Sequence, residues 1–507
     1  MTGSTASENT PLLAPKHTPL PKFQLFILLW VQLAEPLASQ VIYPFVNKLV
    51  GELPITGGDP EKIGYYAGLI ESLFFVTEAF TVLHWSRLSD RIGRKPVLLV
   101  GLFGLTFSMI SFGMSKSYWA IVVSRCLAGL LNGNVGVIKS MMGELGEGNI
   151  AQAMALMPVT WATGATIGPM IGGLLANPYE NYPNTFGKFE FWKTYPYALP
   201  CFVIAFYCIF SWALAFFFLQ EASSTSATVK PRRAGTSDGA AVEHKDLPLR
   251  ELLTPRVITA VSNYSLLALL DIALRALQPL FYTMPITLGG LGFTPAVVGL
   301  CLGAFGLFSG IYQATAFSSV YDRFGTKNVF VAAMGTFVPM FLLFPLMNLS
   351  ALRADRVDGL TWVQLVLQMV LYIIMDMGFS CAFIYVRAAA PNQHSLGATN
   401  GIAQTCISVV RAIGPVASTS LFSLSLEKNI LGGSFVYLVM VVLSALALGA
   451  TAYLPKRSGK SRRASKTSEE VFRVSCLAGF RVTCASHPKS KLLHSFESEP
   501  CFPAMNI

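Results

Sequence analysis

Charged side chains are scarce in this chain and make up 13% of its 507 residues. A soluble domain usually carries about 25%. An Asp, Lys or Arg at the centre of a membrane helix costs about 2.5 to 3.5 kcal/mol on insertion scales, so a chain embedded in lipid keeps such residues few. The scarcity therefore argues against a soluble globular protein and favours a polytopic membrane protein.

Recognisable frameworks for chemistry are also missing. The nine cysteines and six histidines show neither a disulfide framework nor the spacing of a zinc site. The sequence contains no arrangement typical of a catalytic nucleophile and no phosphate-binding loop. We therefore predict a protein that is not an enzyme and that holds no cofactor or resident metal.

Long apolar segments are what the chain does have, and each is close to the roughly 20 residues that span a bilayer. They lie at 23–46, 63–84, 97–114, 118–141, 152–175, 196–219, 257–283, 294–317, 329–348, 362–386, 397–423 and 433–454. They predict an all-α membrane protein with twelve transmembrane helices. We divide the chain into an N-terminal tail (1–22), a first bundle (23–219), a linker (220–256), a second bundle (257–454) and a C-terminal tail (455–507).

Basic residues collect in the loops after the second and eighth segments, in the linker and in the C-terminal tail. The residues in the first two loops are Arg87, Arg91, Arg94, Lys95, Arg323 and Lys327. With an even number of helices these regions lie on one side, which the positive-inside rule makes cytoplasmic, together with both termini. The net charge of +10 thus follows membrane topology. It does not indicate a nucleic-acid partner.

Two landmarks occur twice. Residues 90–95 and 322–327 share the pattern Asp-Arg-x-Gly-x-Lys, and Gly-Pro recurs at 168–169 and 414–415. Both landmarks return six helices later, which predicts two copies of a six-helix bundle. A tight turn between membrane helices often needs positive φ, so we expect that conformation at Gly93.

The residues around these landmarks resemble the major facilitator superfamily. The matching stretches are 85–96, 125–133 and 164–173, in the correct order. More narrowly, the chain is similar to twelve-span drug:proton antiporters and zinc-induced facilitator-like transporters. The resemblance covers about 23–454 and implies the major facilitator fold with alternating access. Ser86 stands where the family usually has glycine.

The resemblance also implies roles for the motif residues. Asp90 is expected to pair across the bundle interface when the transporter faces outward and to separate when it faces inward. Arg91 and Arg94 can instead be simple topology anchors, and Arg125 a gating partner or a structural tie. The candidate conformational residues are Asp90, Arg91, Gly93, Arg94, Arg125, Gly168, Pro169, Asp322, Gly325, Gly414 and Pro415.

We single out seven charged residues inside the apolar segments, whose cost in lipid predicts that they face the space between the bundles. They are Glu35, Glu71, Glu78, Asp271, Arg275, Asp376 and Arg411. The proton-coupling candidates are Glu35, Glu71 and Asp376; Glu35 ranks first because no opposite charge lies within a helical turn of it. The substrate-cavity candidates are Asp271, Arg275, Gln278, Gln404 and Arg411. Asp271 and Arg275 have the i,i+4 spacing of a self-neutralising ion pair.

The predicted function is secondary active transport, with proton-coupled export of small organic solutes or drugs ahead of two alternatives. These are proton symport or uniport of a nutrient, and a non-transporting membrane sensor with the same fold. The expected partners are a small-molecule substrate, protons and the lipid bilayer, and we expect a functional monomer. The dileucine at 12–13 allows a vacuolar as well as a plasma membrane. A glycosylation sequon at Asn348 is expected in an external loop.

Overall fold

A computed structural model describes residues 22–145, 156–221, 253–391 and 396–455. All regular secondary structure in these ranges is helical. Most of the two predicted tails, most of the linker and the dileucine lie outside the described residues. The fold is an all-α membrane architecture with two helical bundles.

The helices of the first bundle begin and end as follows. They are α1 (Lys22–Gln32), α2 (Ala34–Gln40), α3 (Val46–Gly51), α4 (Ile63–Ile92), α5 (Arg94–Gly113), α6 (Tyr118–Leu131), α7 (Asn134–Leu145), α8 (Met157–Leu174), α9 (Pro178–Asn181), α10 (Pro183–Phe186), α11 (Glu190–Thr194) and α12 (Ala198–Phe218).

The second bundle has fewer and longer helices. They are α13 (Pro255–Thr283), α14 (Pro295–Thr315), α15 (Phe317–Gly335), α16 (Phe337–Ala354), α17 (Gly359–Ala389), α18 (Leu396–Glu427) and α19 (Phe435–Ala450).

Ten helical segments of the described part are long and apolar enough to cross a membrane. The two predicted segments outside this set are 23–46 and 152–175. The second of them begins outside the described residues. The first is divided because Pro36 and Pro44 have no N–H to donate to the carbonyls four residues earlier, and α1 and α2 end at those positions, Gln32 and Gln40.

The repeated motif forms helix ends and not an extended loop. α4 continues to Ile92 and α5 starts at Arg94, so the expected loop is reduced to Gly93, with φ 100°. The positive φ predicted there is confirmed. In the second copy the helical conformation is interrupted at Gly325, with φ 76°.

The sequon at Asn348 is not in a loop, and that prediction was wrong. Asn348 lies inside α16, and its Nδ2 donates hydrogen bonds to the carbonyls of Ile286 and Gly290, both at 2.9 Å. The amide nitrogen that a glycan would need is therefore engaged within the fold.

Each bundle has its own apolar core. One buried cluster draws on residues from Ile27 to Leu219, and the other on residues from Val257 to Leu454. The bundles meet where α4 packs along α18 and α8 packs along α14. The charged residues of the site lie along this interface.

The closest approaches between the bundles lie at the helix ends remote from the basic motif. A Cβ on Gly173 would collide with the Pro295 carbonyl and lie 2.8 Å from the Gly299 Cα. In the outer half of α4, Ser72 Oγ accepts a hydrogen bond from the Val416 backbone N–H at 3.0 Å. These ends, which we call outer, are closed against each other.

Candidate functional site

Charged and polar side chains between the bundles form two clusters at different depths. The outer cluster consists of Tyr43, Glu71, Arg125, Asp271, Arg275, Tyr372 and Asp376. The inner cluster, nearer the basic motif, consists of Glu35, Glu78, Asn132, Lys139 and Arg411. Each cluster contains residues of both bundles.

The inner cluster is centred on the Asn132 amide. Asn132 Nδ2 donates a hydrogen bond to Glu78 Oε1 at 3.0 Å, and Glu35 lies beside the same amide. Lys139 and Arg411 interact electrostatically with both carboxylates. Arg411 belongs to α18, so this cluster carries an electrostatic contact between the two bundles.

Two interrupted helices bring these groups together. Glu35 lies in the first turn of α2, just after the interruption at Gln32. Asn132 lies between α6 and α7 with φ −82° and ψ 84°, outside the helical region. The Leu130 carbonyl, which this interruption releases from helical bonding, accepts a hydrogen bond from Trp85 Nε1 at 2.7 Å. Side chains of α4 therefore stabilise the break that places Asn132 beside Glu78.

The first-bundle part of the outer cluster joins Tyr43, Glu71 and Arg125. The Tyr43 hydroxyl donates a hydrogen bond to Glu71 Oε1, and Arg125 interacts electrostatically with Glu71. Arg125 is only 3% exposed, and its guanidinium carbon lies 5.3 Å from the centre of the Phe74 ring. Contact with an aromatic face offsets part of the cost of burying this cation.

The second-bundle part contains the ion pair that the sequence predicted. Arg275 Nε lies 3.0 Å from both carboxylate oxygens of Asp271, and Tyr372 donates to Asp271 Oδ1 at 2.9 Å. Asp376 accepts a hydrogen bond from Ser309 Oγ at 2.7 Å. Asp271 and Arg275 are thus largely neutralised by each other.

A narrow space between the bundles lies beside this ion pair. Its lining includes Tyr43, Arg275, Gln278 and Phe305. Phe305 stacks on Tyr372 with ring centroids 4.1 Å apart. Gln278 is buried and donates to the Tyr282 hydroxyl at 2.8 Å, so its amide is engaged within the second bundle.

The structure unites only some of the residues predicted from sequence. Glu35 lies near Arg411, and Glu71 near Arg275. Gln404 has an exposed side chain on α18, and Asp322 is exposed on α15.

The motif residues have varied surroundings. The side chain of Asp90 lies outside what the structure describes, and Arg91 is exposed. Arg94 Nη1 donates to Ser89 Oγ at 3.1 Å. A Cβ on Gly168 would lie 2.8 Å from Gln40 Cβ, because α8 packs closely on α2.

Sequence analysis missed Asn132, Lys139, Ser309 and Tyr372 as site residues. Lys139 lies inside the predicted segment 118–141 and is an intramembrane charge like the seven that were singled out. Its position was therefore a readable signal. Asn132 sits beside Gly133 and Asn134, a polar run within an apolar segment, which also marks a helix interruption.

Two helical bundles with ionisable groups at their interface are the arrangement typical of a secondary transporter. The sequence profile of the Major Facilitator Superfamily matches residues 28–289 and 265–500. The chain belongs to the major facilitator superfamily.

Proteins that are similar in sequence support this assignment. The chain is 30% identical over 471 residues to the major facilitator-type transporter psiT2 of Psilocybe cyanescens, covering 84% of this chain and 89% of that protein. It is 29% identical to the multidrug transporter mfsB of Aspergillus fumigatus, covering 81% and 80%. Among solved structures, a D-xylose-proton symporter matches with a TM-score of 0.67 at 13% identity, covering 86% of this chain and 98% of the symporter, and shares the fold.

Proposed function

We propose that this chain is a proton-coupled antiporter that exports small organic solutes by alternating access. The observation that carries the proposal is the inner cluster, in which Glu35 of the first bundle interacts electrostatically with Arg411 of the second. Rocking of the bundles changes the distance between these groups. The charge on Glu35 is therefore coupled to the conformation.

The physical cycle follows from this contact. Ionised Glu35 attracts Arg411 and favours the approach of α2 and α18 at this depth, because opposite charges interact strongly where water is partly excluded. A proton that binds Glu35 removes the attraction and favours separation. Glu71 and Asp376, the other proton-coupling candidates, lie in the outer cluster, where Tyr43 and Ser309 hold them.

Substrate is assigned to the space beside the outer cluster. Its lining includes Arg275, Gln278 and Phe305, whose guanidinium, amide and ring a substrate would contact in place of part of their present partners. The name of the Aspergillus fumigatus relative, a multidrug transporter, supports export of organic solutes. The likeness to a proton symporter concerns the fold alone and does not favour symport.

The proposal includes an orientation in the membrane. The basic motif faces the cytoplasm, with both termini on the same side, in the plasma or vacuolar membrane. Asp90, Arg91 and Arg94 belong to a latch at this face, and the Gly-Pro sites at Pro169 and Pro415 are where helices bend or rock. The functional unit is a monomer that exchanges protons for solute.

The test is transport in vesicles that contain the purified full-length protein and an imposed pH gradient. Glu35→Gln keeps the side-chain length and its hydrogen-bonding capacity but cannot ionise. We expect this variant to lose gradient-driven flux for every active solute in a panel of radiolabelled organic amines and drugs, while solute exchange without a gradient continues. Glu61→Gln, which removes an acid near the start of α4, serves as the control and should transport like the wild type. Gradient-driven flux that persists in Glu35→Gln would exclude Glu35 as the proton site.

A further inference from the structure

One side-chain amide lies beside two carboxyl groups in the inner cluster. The Nδ2 atom of Asn132 carries two hydrogens and donates one to Glu78 Oε1 at 3.0 Å, while Glu35 lies beside the same amide. Asn132 is 2% exposed, and its Oδ1 atom is buried and accepts no hydrogen bond from the described residues. A buried acceptor of this kind is costly unless a donor satisfies it during the working cycle.

A protonated carboxyl group is such a donor. An ionised carboxylate only accepts hydrogen bonds, whereas a carboxylic acid also has an O–H to donate. The amide of Asn132 therefore suits both forms: its nitrogen donates to a carboxylate, and its oxygen can accept from an acid. When one proton is bound to the two acids, the Asn132 oxygen has a donor and the Asn132 nitrogen has an acceptor.

The surrounding charges limit the number of protons to one. The titratable groups that face the pair are Lys139 on α7 and Arg411 on α18. With both acids ionised, two negative charges balance two positive charges. One proton leaves a single excess positive charge, and a second would leave half-buried Arg411 without an acid partner. An unpaired charge that is partly removed from water is unfavourable.

We propose that Glu35 and Glu78 form a single proton site that holds one exchangeable proton, with Asn132 as the positioning residue that joins them. The proposal rests on the proposed proton-coupled function and deepens it by naming the second acid. The proton enters when both carboxyl groups are ionised and binds one of them, and the resulting O–H group donates a hydrogen bond to Asn132 Oδ1. It departs toward the cytoplasmic side, where Lys139 is exposed.

Infrared difference spectroscopy of the full-length protein in lipid tests the pair without a substrate. The pH is lowered from about 8 to about 6, a range in which exposed carboxylates stay ionised, and the C=O stretch of protonated carboxyl groups is recorded. We expect Glu35→Gln and Glu78→Gln each to change the position and the titration midpoint of one band. The double variant should lose that band, and the lost area should equal one carboxyl group.

Asn132 is tested by Asn132→Leu, which has a similar size but no hydrogen-bonding groups. We expect the band to move to the frequency of a carboxyl group without a hydrogen-bond partner, and the two acids to titrate separately. Asn132→Gln should restore part of the wild-type spectrum. Glu52→Gln, at the outer end of the first bundle, is the control and should leave the band unchanged. If Asn132→Leu does not fold, the Glu78→Gln spectrum decides alone.

Two results would overturn the pair. If the Glu78→Gln spectrum is identical to that of the wild type, Glu35 binds the proton alone. If the double variant loses the band area of two carboxyl groups, the two acids bind two protons independently. Failure of the wider function is separable, because it would show as absent gradient-driven flux in the wild-type vesicles. The infrared result does not depend on that flux.

Discussion

Gly93 in the first half and Gly325 in the second share a backbone conformation, with φ 100° and ψ 161° at the first and φ 76° and ψ 162° at the second. This region of the φ/ψ map is essentially restricted to glycine. Gly93 separates α4 from α5 within a single residue, and Gly325 interrupts α15 in the same way. The two copies of the motif therefore make the same turn.

Their contacts differ in charge. In the first half the Glu221 carboxylate, which follows α12, accepts hydrogen bonds from the backbone N–H groups of Arg94 at 2.5 Å and Lys95 at 3.1 Å. In the second half Lys327 Nζ donates to the carbonyls of Ala452 at 3.1 Å and Leu454 at 2.6 Å.

In both copies a side chain stabilises the helix that follows the turn, but it is an acid in the first copy and an amine in the second. In both halves the helix after the turn is tied to the chain that follows the last helix of its bundle. A helix start exposes N–H groups and attracts an acid, whereas the end of a helix exposes carbonyls and attracts an amine. The backbone turn is common to both copies, while the residues that stabilise it differ.

The Gly-Pro sites also share a position but not their neighbours. In α8, a Cβ on Gly172 would collide with the Val41 carbonyl within the bundle, while Gly173 lies against the other bundle. In α18, Gly414 lies against Ile272 of its own bundle, and the Pro415 carbonyl lies near Gly68 of the other. Both sites are thus at the contact between bundles.

We expect the largest effect from Gly173→Ala. The added methyl group overlaps backbone atoms of α14, which cannot move aside as a side chain can, and overpacking typically costs about 1 to 3 kcal/mol. The outer ends should be forced apart. A cysteine introduced at Asn47, which is buried beneath them, should then react faster with a membrane-impermeant maleimide.

Gly310→Ala is the matched control at the same interface, because its Cβ would meet Ala162 Cβ at an ordinary 3.5 Å. It should leave the labelling rate close to that of the parent protein. Equal labelling in the two variants would refute the view that Gly173 sets the closeness of the outer ends.

The next largest difference is expected between Gly93→Ala and Gly325→Ala. In both variants alanine has to adopt a backbone conformation that residues other than glycine avoid, which costs about 1 to 3 kcal/mol. Gly93→Ala also brings its Cβ to 2.9 Å from Glu221 Oε1, whereas a Cβ at Gly325 meets nothing within 4 Å. Thermal unfolding in detergent should therefore show a lower midpoint for Gly93→Ala. A lower midpoint for Gly325→Ala would reverse the comparison.

Glu221→Gln should have a smaller effect. The variant keeps an acceptor for the Arg94 N–H but removes the negative charge from the start of α5, which is worth about 0.3 to 1 kcal/mol. Because Glu221 is exposed, salt screens the interaction. Unfolding midpoints measured at low and high salt should converge for variant and wild type. A difference that persists at high salt would mean that charge is not the cause.

The smallest effect is expected from Lys327→Met. Methionine keeps the apolar stem but cannot donate to the Ala452 and Leu454 carbonyls. These carbonyls can bond to water instead, so we expect the free energy of unfolding to fall by about a few tenths of a kcal/mol. This is the low end of the range for a cation near the end of a helix. The same unfolding assay applies. A loss larger than that of Glu221→Gln would identify the second copy as the stronger tie.

Much of the fold was readable from local patterns. The apolar segments, the two motif copies and the positive φ at Gly93 each depend on residues close together in the chain. The ion pair of Asp271 and Arg275 was readable for the same reason, since both lie on one helix face. The break in the first segment was not predicted, although Pro36 and Pro44 indicate it.

The candidate site was predicted only in part. Glu35 has no opposite charge nearby in the chain, and its partners Lys139 and Arg411 come from other helices. Lys139 was overlooked although its position inside an apolar segment was a readable signal, and only the structure shows that it lies near Glu35. The hydrogen bond from Asn132 to Glu78 depends on a backbone interruption that side chains of another helix stabilise.

The sequence alone determined the membrane class, the duplicated plan and the glycine turns, because hydropathy and backbone φ are properties of single residues and their neighbours. Only the tertiary structure decided which charges meet. Glu35 and Arg411 lie in different bundles, and Glu221 reaches the start of α5 only through the packing of α12. Contacts of this kind depend on the relative placement of helices, which the pattern along any one helix does not contain.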